Sequence, residues 1–212
     1  MKKSLNTVLI AGTQVGVGKT MLRSVLAAYL AAYYPACDRT SLHLTDDSYP
    51  DGYPGTGLPS TDLAALWQTV STCQAQHDLV LLEAPGSLGS PLTPEVTVAD
   101  LAWDWRLPTV LVVPLSADVL GQAIAHVALA RQSRVFLKGL VVNTPQPFSG
   151  SNLEDAVLIQ NLRSLTQVPV LGKIPYLEAG DDAKTLAAVG SNLNIEGLLP
   201  LPTHRFYAAA KP

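Results

Sequence analysis

Short runs of apolar residues alternate along the chain with longer stretches in which apolar residues recur every three or four positions. The short runs have the length and continuous hydrophobicity of buried strands, and the longer stretches are typical of amphipathic helices. The predicted strands are 7–12, 39–44, 78–84, 109–115, 136–143 and 168–175. The predicted helices lie near 19–33, 60–75, 97–106, 118–132, 152–166 and 181–192.

This regular alternation predicts βαβ units, and therefore an α/β fold with a doubly wound, mostly parallel sheet and helices on both faces. The chain shows no internal repeat and no linker of domain-boundary length, so residues 1–212 are expected to form a single domain. The proline- and glycine-rich stretch 46–61 is interpreted as a surface loop within that domain. Ligands of such sheets bind at the carboxyl ends of the strands, which is where candidate chemistry is expected.

Composition and charge narrow the class of protein. Hydrophobic residues make up 48% of the 212 and charged residues 15%, which suits a sheet covered on both faces. The net charge of −3 argues against a protein that binds nucleic-acid backbone. Cys37 and Cys73 have neither metal-site spacing nor a disulfide framework, and no apolar run is long enough to span a bilayer. These features predict a cytoplasmic protein with no membrane partner.

The stretch "GTQVGVGKT" follows the first predicted strand and precedes the first predicted helix. Its end, Gly18 to Thr20, fits the phosphate-loop pattern G-x-x-x-x-G-K-[ST], but Gly12 stands one residue further upstream than usual and Thr13 occupies the expected glycine position. Gly16 and Gly18 permit the backbone N–H groups to turn toward an anion, beside the positive end of the helix. A glycine turn with an incidental lysine is the alternative, which the strand–loop–helix order disfavours.

A phosphate-loop NTPase also needs an acidic residue at the end of another strand, to hold or orient Mg²⁺. Glu83 ends the apolar run of "DLVLLEAPGSLG", after which the chain turns away. Lys19 would reach the β- and γ-phosphates, and Thr20 would bind Mg²⁺ together with Glu83. The residues therefore predict a site for ATP and Mg²⁺.

With these motifs placed, the sequence resembles the dethiobiotin synthetase family. The family has the same long-spaced loop, commonly G-T-D-T-x-V-G-K-T, and a strand-end glutamate in E-G-A-G-G where this chain has "EAPGS". Further resemblance lies in "SPLTPEVTVADLAWDWRLPTVLVVPL" (90–115), "LVVNTPQP" (140–147) and "LGKIPYL" (171–177). It covers about 1–44 and 60–177, with the motifs in the family's order.

The resemblance implies a phosphate-loop NTPase-like fold, a homodimer and a reaction of biotin biosynthesis. In the family, CO₂ carbamylates one amine of 7,8-diaminopelargonic acid, ATP phosphorylates the carbamate, and the second amine closes a cyclic urea. Lys19 would be catalytic, and Thr20, Asp62 and Glu83 would surround Mg²⁺. Asp62 is otherwise interpreted as a helix N-terminal charge. The implied nucleotide-binding residues are Thr13, Gly16, Val17, Gly18, Lys19, Thr20, Met21, Asn143 and Pro175.

One position on the acceptor side departs from the family's pattern. The family has a lysine at the end of the second strand that faces the carbamate, where this chain has Leu44. Arg23 or Arg39 is an alternative source of that charge, although arginine is not a positional substitute for lysine. The neighbouring His43 is interpreted as a packed side chain rather than a catalytic one.

Other departures are Gln14 in place of the loop aspartate and the segment between the second strand and Glu83, which is shorter than is usual in the family. Asp46, Asp47 and Asp51 in that segment are interpreted as solvated loop carboxylates.

Two hypotheses about function follow. The favoured one is an ATP-dependent dethiobiotin synthetase, and the alternative is a catalytically reduced relative that binds or slowly hydrolyses ATP and serves as a partner-binding module. The membrane- or DNA-positioning ATPases are a third class, which is disfavoured because their loop has an additional lysine near the position of Gln14.

Overall fold

The computed structural model describes residues 6–44, 62–147, 152–178 and 182–200. The predicted surface loop at 46–61 and its three aspartates lie outside these residues. Within them, the chain folds around one six-stranded sheet.

Every strand pair in the sheet is parallel, and the spatial order is β2-β3-β1-β4-β5-β6. The prediction of a mostly parallel sheet is therefore confirmed, and the strand ends differ from the predicted ones by at most two residues. The strands are β1 (Thr7–Gly12), β2 (Arg39–His43), β3 (Leu79–Glu83), β4 (Thr109–Pro114), β5 (Leu137–Asn143) and β6 (Val170–Ile174).

Seven helices connect or follow the strands in the described part of the chain. Six of them match the predicted helices, whereas α7 was not predicted because four residues are too few to show a helical period. No helix in the described ranges has the length and apolar character needed to cross a membrane. The helices are α1 (Lys19–Tyr33), α2 (Leu63–Gln76), α3 (Val98–Asp104), α4 (Val119–Gln132), α5 (Asn152–Thr166), α6 (Ala183–Ser191) and α7 (Ile195–Leu198).

The sheet separates two hydrophobic cores. Successive side chains of β1 point to opposite faces, so Leu9 and Ala11 join one core while Val8 and Ile10 join the other. The first core is closed by buried residues of α2, α3, α4 and α5, and the second by those of α1, α6 and α7. Helices therefore cover both faces, which explains why the strand sequences are continuously apolar.

Strand β1 lies between β3 and β4, and this arrangement positions the functional site. The strands added after β1 run to one side as β3 and β2 and to the other as β4, β5 and β6. At such a reversal the loops leaving neighbouring strands diverge and open a crevice at the carboxyl edge of the sheet. The loop after β1 is "GTQVGVGKT", and the residue that ends β3 is Glu83.

Truncation of a central core residue should test this architecture. Leu9→Ala removes a fully buried side chain from β1, and we expect the free energy of unfolding to fall by about 2–5 kcal/mol. Leu165→Ala on α5 is the matched control, because Leu165 is 55% exposed and its truncation should change stability by no more than about 0.5 kcal/mol. Urea denaturation measures both variants. Equal losses would contradict the assignment of β1 to the centre of the sheet.

Candidate functional site

The turn from β1 into α1 is built on glycine. Gly18 has a φ of +97° and precedes the first residue of α1, and a Cβ there would lie 2.1 Å from the Nδ2 atom of Asn143. Gly16 also has a positive φ, +73°, with open space around it. Glycine adopts these conformations without steric cost, so the loop curls over the N-terminus of α1. The free N–H groups of that terminus then face the crevice and favour an anion.

Asn143, at the end of β5, holds the phosphate loop through a hydrogen bond to its backbone. Its side chain is 4% exposed, and its Nδ2 atom donates a hydrogen bond of 2.9 Å to the carbonyl oxygen of Val17. The side chain of Val17 is itself buried in the core that α1 covers, so only the backbone of this residue faces the loop interior. Asn143 thereby fixes the peptide that precedes Gly18.

The unusual spacing of the loop has a structural explanation. The N–H of Thr13 still donates to the carbonyl of Val112 on β4, at 3.2 Å, so the strand ladder extends one residue beyond β1. Gly12 lies under the loop, where an added Cβ would be 2.6 Å from the Cγ2 atom of Val17. The close approach of Val17 therefore requires a glycine at position 12, one residue before the first glycine of the usual phosphate-loop pattern.

Lys19, the first residue of α1, lies within the crevice. Its Nζ atom donates to the carbonyl of Gly86 at 2.6 Å and to that of Gln14 at 3.4 Å. Burial lowers the pKa of Lys19, and the negative charge of Glu83 partly opposes that shift. The ammonium group is therefore held between the phosphate-loop backbone and the loop that follows β3.

Glu83 gathers the polar side chains on the other side of the crevice. The hydroxyl of Thr20 donates to its Oε1 atom at 2.5 Å, and the Nε atom of Arg23 lies 2.9 Å from its Oε2 atom. The Nε atom of Arg23 and the Oε2 atom of Glu83 form an ion pair but no hydrogen bond, because the N–H is not directed at the oxygen. Neither atom has another hydrogen-bond partner among the described residues. With a side chain only 7% exposed, Glu83 is a buried carboxylate that depends on these neighbours.

A hydroxyl and a carboxylate oxygen side by side form a donor pair suited to Mg²⁺, which prefers oxygen ligands. Thr20 and Glu83 supply that pair, and the Oε2 atom of Glu83 is buried without a hydrogen-bond partner in the described structure. Asp62 caps α2, since the Oδ1 atom of its carboxylate accepts hydrogen bonds from the N–H groups of Ala64 and Ala65 at 3.0 Å. In the described ranges, no three His, Cys, Asp or Glu residues cluster in a way that could hold a metal.

At the end of β2, Leu44 is buried, whereas the side chain of His43 is exposed and not packed as predicted. Leu44 is 1% exposed and belongs to the core, while its N–H donates to the carbonyl of Glu83. The prediction that His43 is packed was wrong, because its side chain is 48% exposed and its Nε2 atom lies 3.7 Å from the Oε2 atom of Glu83. The alternation of a strand turns Leu44 inward and leaves His43 at the open edge of the sheet.

Arg39 does not reach this part of the molecule. It begins β2, four residues before His43, which places it about 13 Å away along a parallel strand. Its Nη1 atom donates to the carbonyl of Cys37 at the amino edge of the sheet. The hypothesis that Arg39 supplies a charge to the site is therefore wrong, and Arg23 is the arginine that lies beside Glu83.

A pocket of about 190 Å³ opens beside the phosphate loop. Five of the residues implied by the resemblance line it. The other three were not predicted, although they lie within two residues of predicted ones in the motifs "LVVNTPQP" and "LGKIPYL". Met21, Pro175 and Leu177 are among its apolar lining side chains, and such side chains can pack against a flat aromatic ring. The lining residues are Gly16, Gly18, Met21, Asn143, Thr144, Pro145, Pro175 and Leu177.

Solved structures share this architecture. The chain is similar to a ParA family ATPase from Chlorobium tepidum TLS, with a TM-score of 0.51 and 11% identity over 91% of this chain and 92% of that one. It is also similar to the MinD cell division protein of Aquifex aeolicus, with a TM-score of 0.53 and 13% identity over 90% of this chain and 88% of that one. At such low identity the likeness shows the fold alone, which agrees with the predicted α/β class.

Sequence relatives are more specific. The AAA domain family model matches residues 59–184. ATP-dependent dethiobiotin synthetase BioD of Gloeothece citriformis is 49% identical over 140 residues, which cover 66% of this chain and 62% of that protein's length. The proteins of the same name from Crocosphaera subtropica and Synechocystis are 38% and 40% identical, over 92% and 91% of this chain and 100% and 94% of theirs. The chain therefore belongs to the ATP-dependent dethiobiotin synthetase family.

Proposed function

We propose that this protein is an ATP-dependent dethiobiotin synthetase, which closes the cyclic urea of dethiobiotin from 7,8-diaminopelargonic acid, CO₂ and MgATP. The observation that carries the proposal is the convergence of Lys19, Thr20 and Glu83 at the N-terminus of α1, in a member of that family. A crevice with this donor set is suited to phosphoryl transfer, in which charge neutralisation and positioning account for most of the catalysis.

The phosphates of ATP would lie under the curled loop, against the backbone N–H groups from Gly16 to Thr20. Lys19 would exchange the carbonyls of Gly86 and Gln14 for phosphate oxygens, which compensate its buried charge better than neutral carbonyls do. Because Lys19 is buried and its backbone begins α1, its ammonium group would be held close to the γ-phosphate without a large conformational search.

Thr20 and Glu83 would hold Mg²⁺, with Asp62 as the further residue that the family resemblance implies. When bound, the metal neutralises charge on the β- and γ-phosphates. Thr20 already aligns its hydroxyl with Glu83. The cap that Asp62 makes on α2 employs only its Oδ1 atom, which leaves its second carboxylate oxygen available.

The chemistry needs no covalent intermediate with the protein. One amine of the substrate adds to CO₂ and loses a proton, and an oxygen of the resulting carbamate attacks the γ-phosphorus while ADP leaves. The second amine then attacks the carbamate carbon, phosphate leaves with the C–O bond electrons, and a proton is lost as the ring closes. The protein positions the two anions and excludes competing water.

The pocket lined by Met21, Asn143 and Pro175 would take the adenine ring. Apolar side chains stack against a flat base, and the Oδ1 atom of Asn143 and neighbouring backbone groups would recognise its edge. Since the Nδ2 atom of Asn143 holds the carbonyl of Val17, base recognition and the shape of the phosphate loop would share one side chain.

The remaining features of the proposal follow from the family. The chain would act in the cytoplasm as a homodimer, with residues 1–212 as one domain and small molecules rather than nucleic acid as its substrates. The catalytically reduced relative is the alternative that one observation favours, because Leu44 lies in the core where the family's pattern has a lysine.

Turnover in the presence of each substrate separates the two functions. We expect the wild-type protein to release ADP from MgATP at least tenfold faster when diaminopelargonate and bicarbonate are both present than with either alone. Dethiobiotin should accumulate in equal amount to the additional ADP, as measured by mass spectrometry. Unchanged ATP turnover without any cyclic urea would contradict the synthetase proposal and support the reduced relative.

Nucleotide binding is tested separately through Lys19. MgATP at a hundredfold excess over its Kd should stabilise the wild-type protein by about 2.7 kcal/mol, which raises Tm by roughly 5–10 °C. Lys19→Ala should abolish this rise, whereas Lys184→Ala on the exposed surface of α6 should retain it. Differential scanning fluorimetry measures both variants, and full stabilisation of Lys19→Ala would refute the assignment of the phosphate loop.

The support of the loop by Asn143 gives a further prediction. Asn143→Asp replaces the donor at 2.9 Å from the Val17 carbonyl with a charged acceptor, so the two oxygens repel. Affinity for a fluorescent ATP analogue should fall by roughly 5- to 150-fold, the equivalent of about 1–3 kcal/mol. Asn192→Asp, at the exposed end of α6, is the matched control and should bind normally. Normal binding by Asn143→Asp would exclude this supporting role.

A further inference from the structure

Two basic side chains face the same oxygen of Glu83. The Nε atom of Arg23 lies 2.9 Å from Oε2 and the Nε2 atom of His43 lies 3.7 Å from it, whereas Oε1 is taken by the hydroxyl of Thr20. Glu83 is thus flanked by the predicted metal ligand on one side and by Arg23 and His43 on the other. The second side lies at the carboxyl end of β2, where His43 pairs in register with Glu83.

The contact with Glu83 leaves the Nε–H donor of Arg23 without a hydrogen bond among the described residues. Its Nε atom and the Oε2 atom of Glu83 are both buried, yet the N–H is poorly aligned and neither atom has a hydrogen-bond partner among the described residues. The side chain of Arg23 is still 24% exposed, so it is not fully enclosed beside Glu83. A buried N–H donor beside an accessible guanidinium fork is suited to receive an oxyanion.

Between Lys19 and Lys138, the other described arginines are poorly placed to supply this charge. Residue 44 is a core leucine, and the whole stretch 45–61 between β2 and α2 contains no Lys, Arg or His. Arg39 lies at the amino edge of the sheet. Three other arginines occur between Lys19 and Lys138. Arg106 lies between α3 and β4, and Arg131 and Arg134 lie at or just after the end of α4, before β5. Both strands begin at the amino edge of the sheet, so these arginines lie on the side away from the crevice.

Transfer of the γ-phosphoryl group to a carbamate brings two anions together, so the acceptor needs a positive charge besides Lys19 and the metal. We propose that Arg23 binds the anionic acceptor of this site, a carbamate, and takes the part of the lysine that position 44 lacks. This inference rests on the proposed function. Arg23 forms no covalent bond; its guanidinium neutralises the carbamate while the attacking oxygen bonds to phosphorus and ADP leaves.

The placement on α1 gives this role a geometric basis. Arg23 follows Lys19 by four residues, about one helical turn, so the two side chains lie on the same face of the helix. Lys19 would engage the phosphoryl donor and Arg23 the acceptor, and the helix would hold the two cations at a constant separation. Glu83 keeps the guanidinium oriented before the acceptor arrives.

The test compares Arg23→Met with Arg39→Met, the same substitution at an arginine outside the site. At saturating MgATP and bicarbonate, Arg23→Met should lower kcat/KM for diaminopelargonate at least tenfold, through a higher KM, a lower kcat or both. Its Kd for a fluorescent ATP analogue and its Mg²⁺ dependence should stay within threefold of wild type. Arg23→Lys should recover part of the activity, because it restores the charge without the planar fork. Arg39→Met should behave as wild type.

Four results would overturn the inference. Diamine-stimulated turnover in Arg23→Met equal to wild type would remove Arg23 from the acceptor site while leaving the proposed function intact. A change confined to the Mg²⁺ dependence of nucleotide binding would show that Arg23 acts only through Glu83. Loss of the diamine dependence in His43→Gln but not in Arg23→Met would assign the charge to His43. If diaminopelargonate and bicarbonate do not stimulate ATP turnover in the wild-type protein, the proposed function is contradicted, and the inference that rests on it is contradicted as well.

Discussion

The site depends on β3 lying directly beside β1. Ile10 pairs in register with Glu83, so the residue that ends β3 emerges next to the loop that leaves β1. That placement brings the Thr20 hydroxyl to the Glu83 carboxylate, although the two residues are far apart in sequence. A shift of one residue in this register would turn Glu83 to the opposite face of the sheet and separate the two groups.

The proposed donor and acceptor sides of the crevice are built differently. The donor side rests on the backbone, since glycine conformations, the Asn143 hydrogen bond to Val17 and the start of α1 all shape the same loop. The acceptor side rests on side-chain charges around a single buried carboxylate, Glu83.

Likeness in fold and likeness in sequence carry different information about this chain. The ParA family ATPase and MinD resemble this chain in architecture at 11% and 13% identity, while the dethiobiotin synthetases resemble it in sequence over most of its length. A parallel sheet with a phosphate loop after its first strand is a general support for nucleotides, and the residues at the strand ends select the chemistry. In the function proposed for this chain, those residues include Glu83, His43 and the neighbouring Arg23.

The sequence by itself determined the six strands, the helices other than α7 and the glycine turn after β1, because continuous apolar runs, helical period and glycine conformation are local properties. It also identified Glu83, since a carboxylate at the end of an apolar strand is a local signal. Only the tertiary structure decided that Asn143 supports Val17, that Arg23 and not Arg39 lies beside Glu83, and that His43 is open to solvent. These contacts join residues from separate strands and helices, so they depend on strand order and register, which no short stretch of sequence encodes.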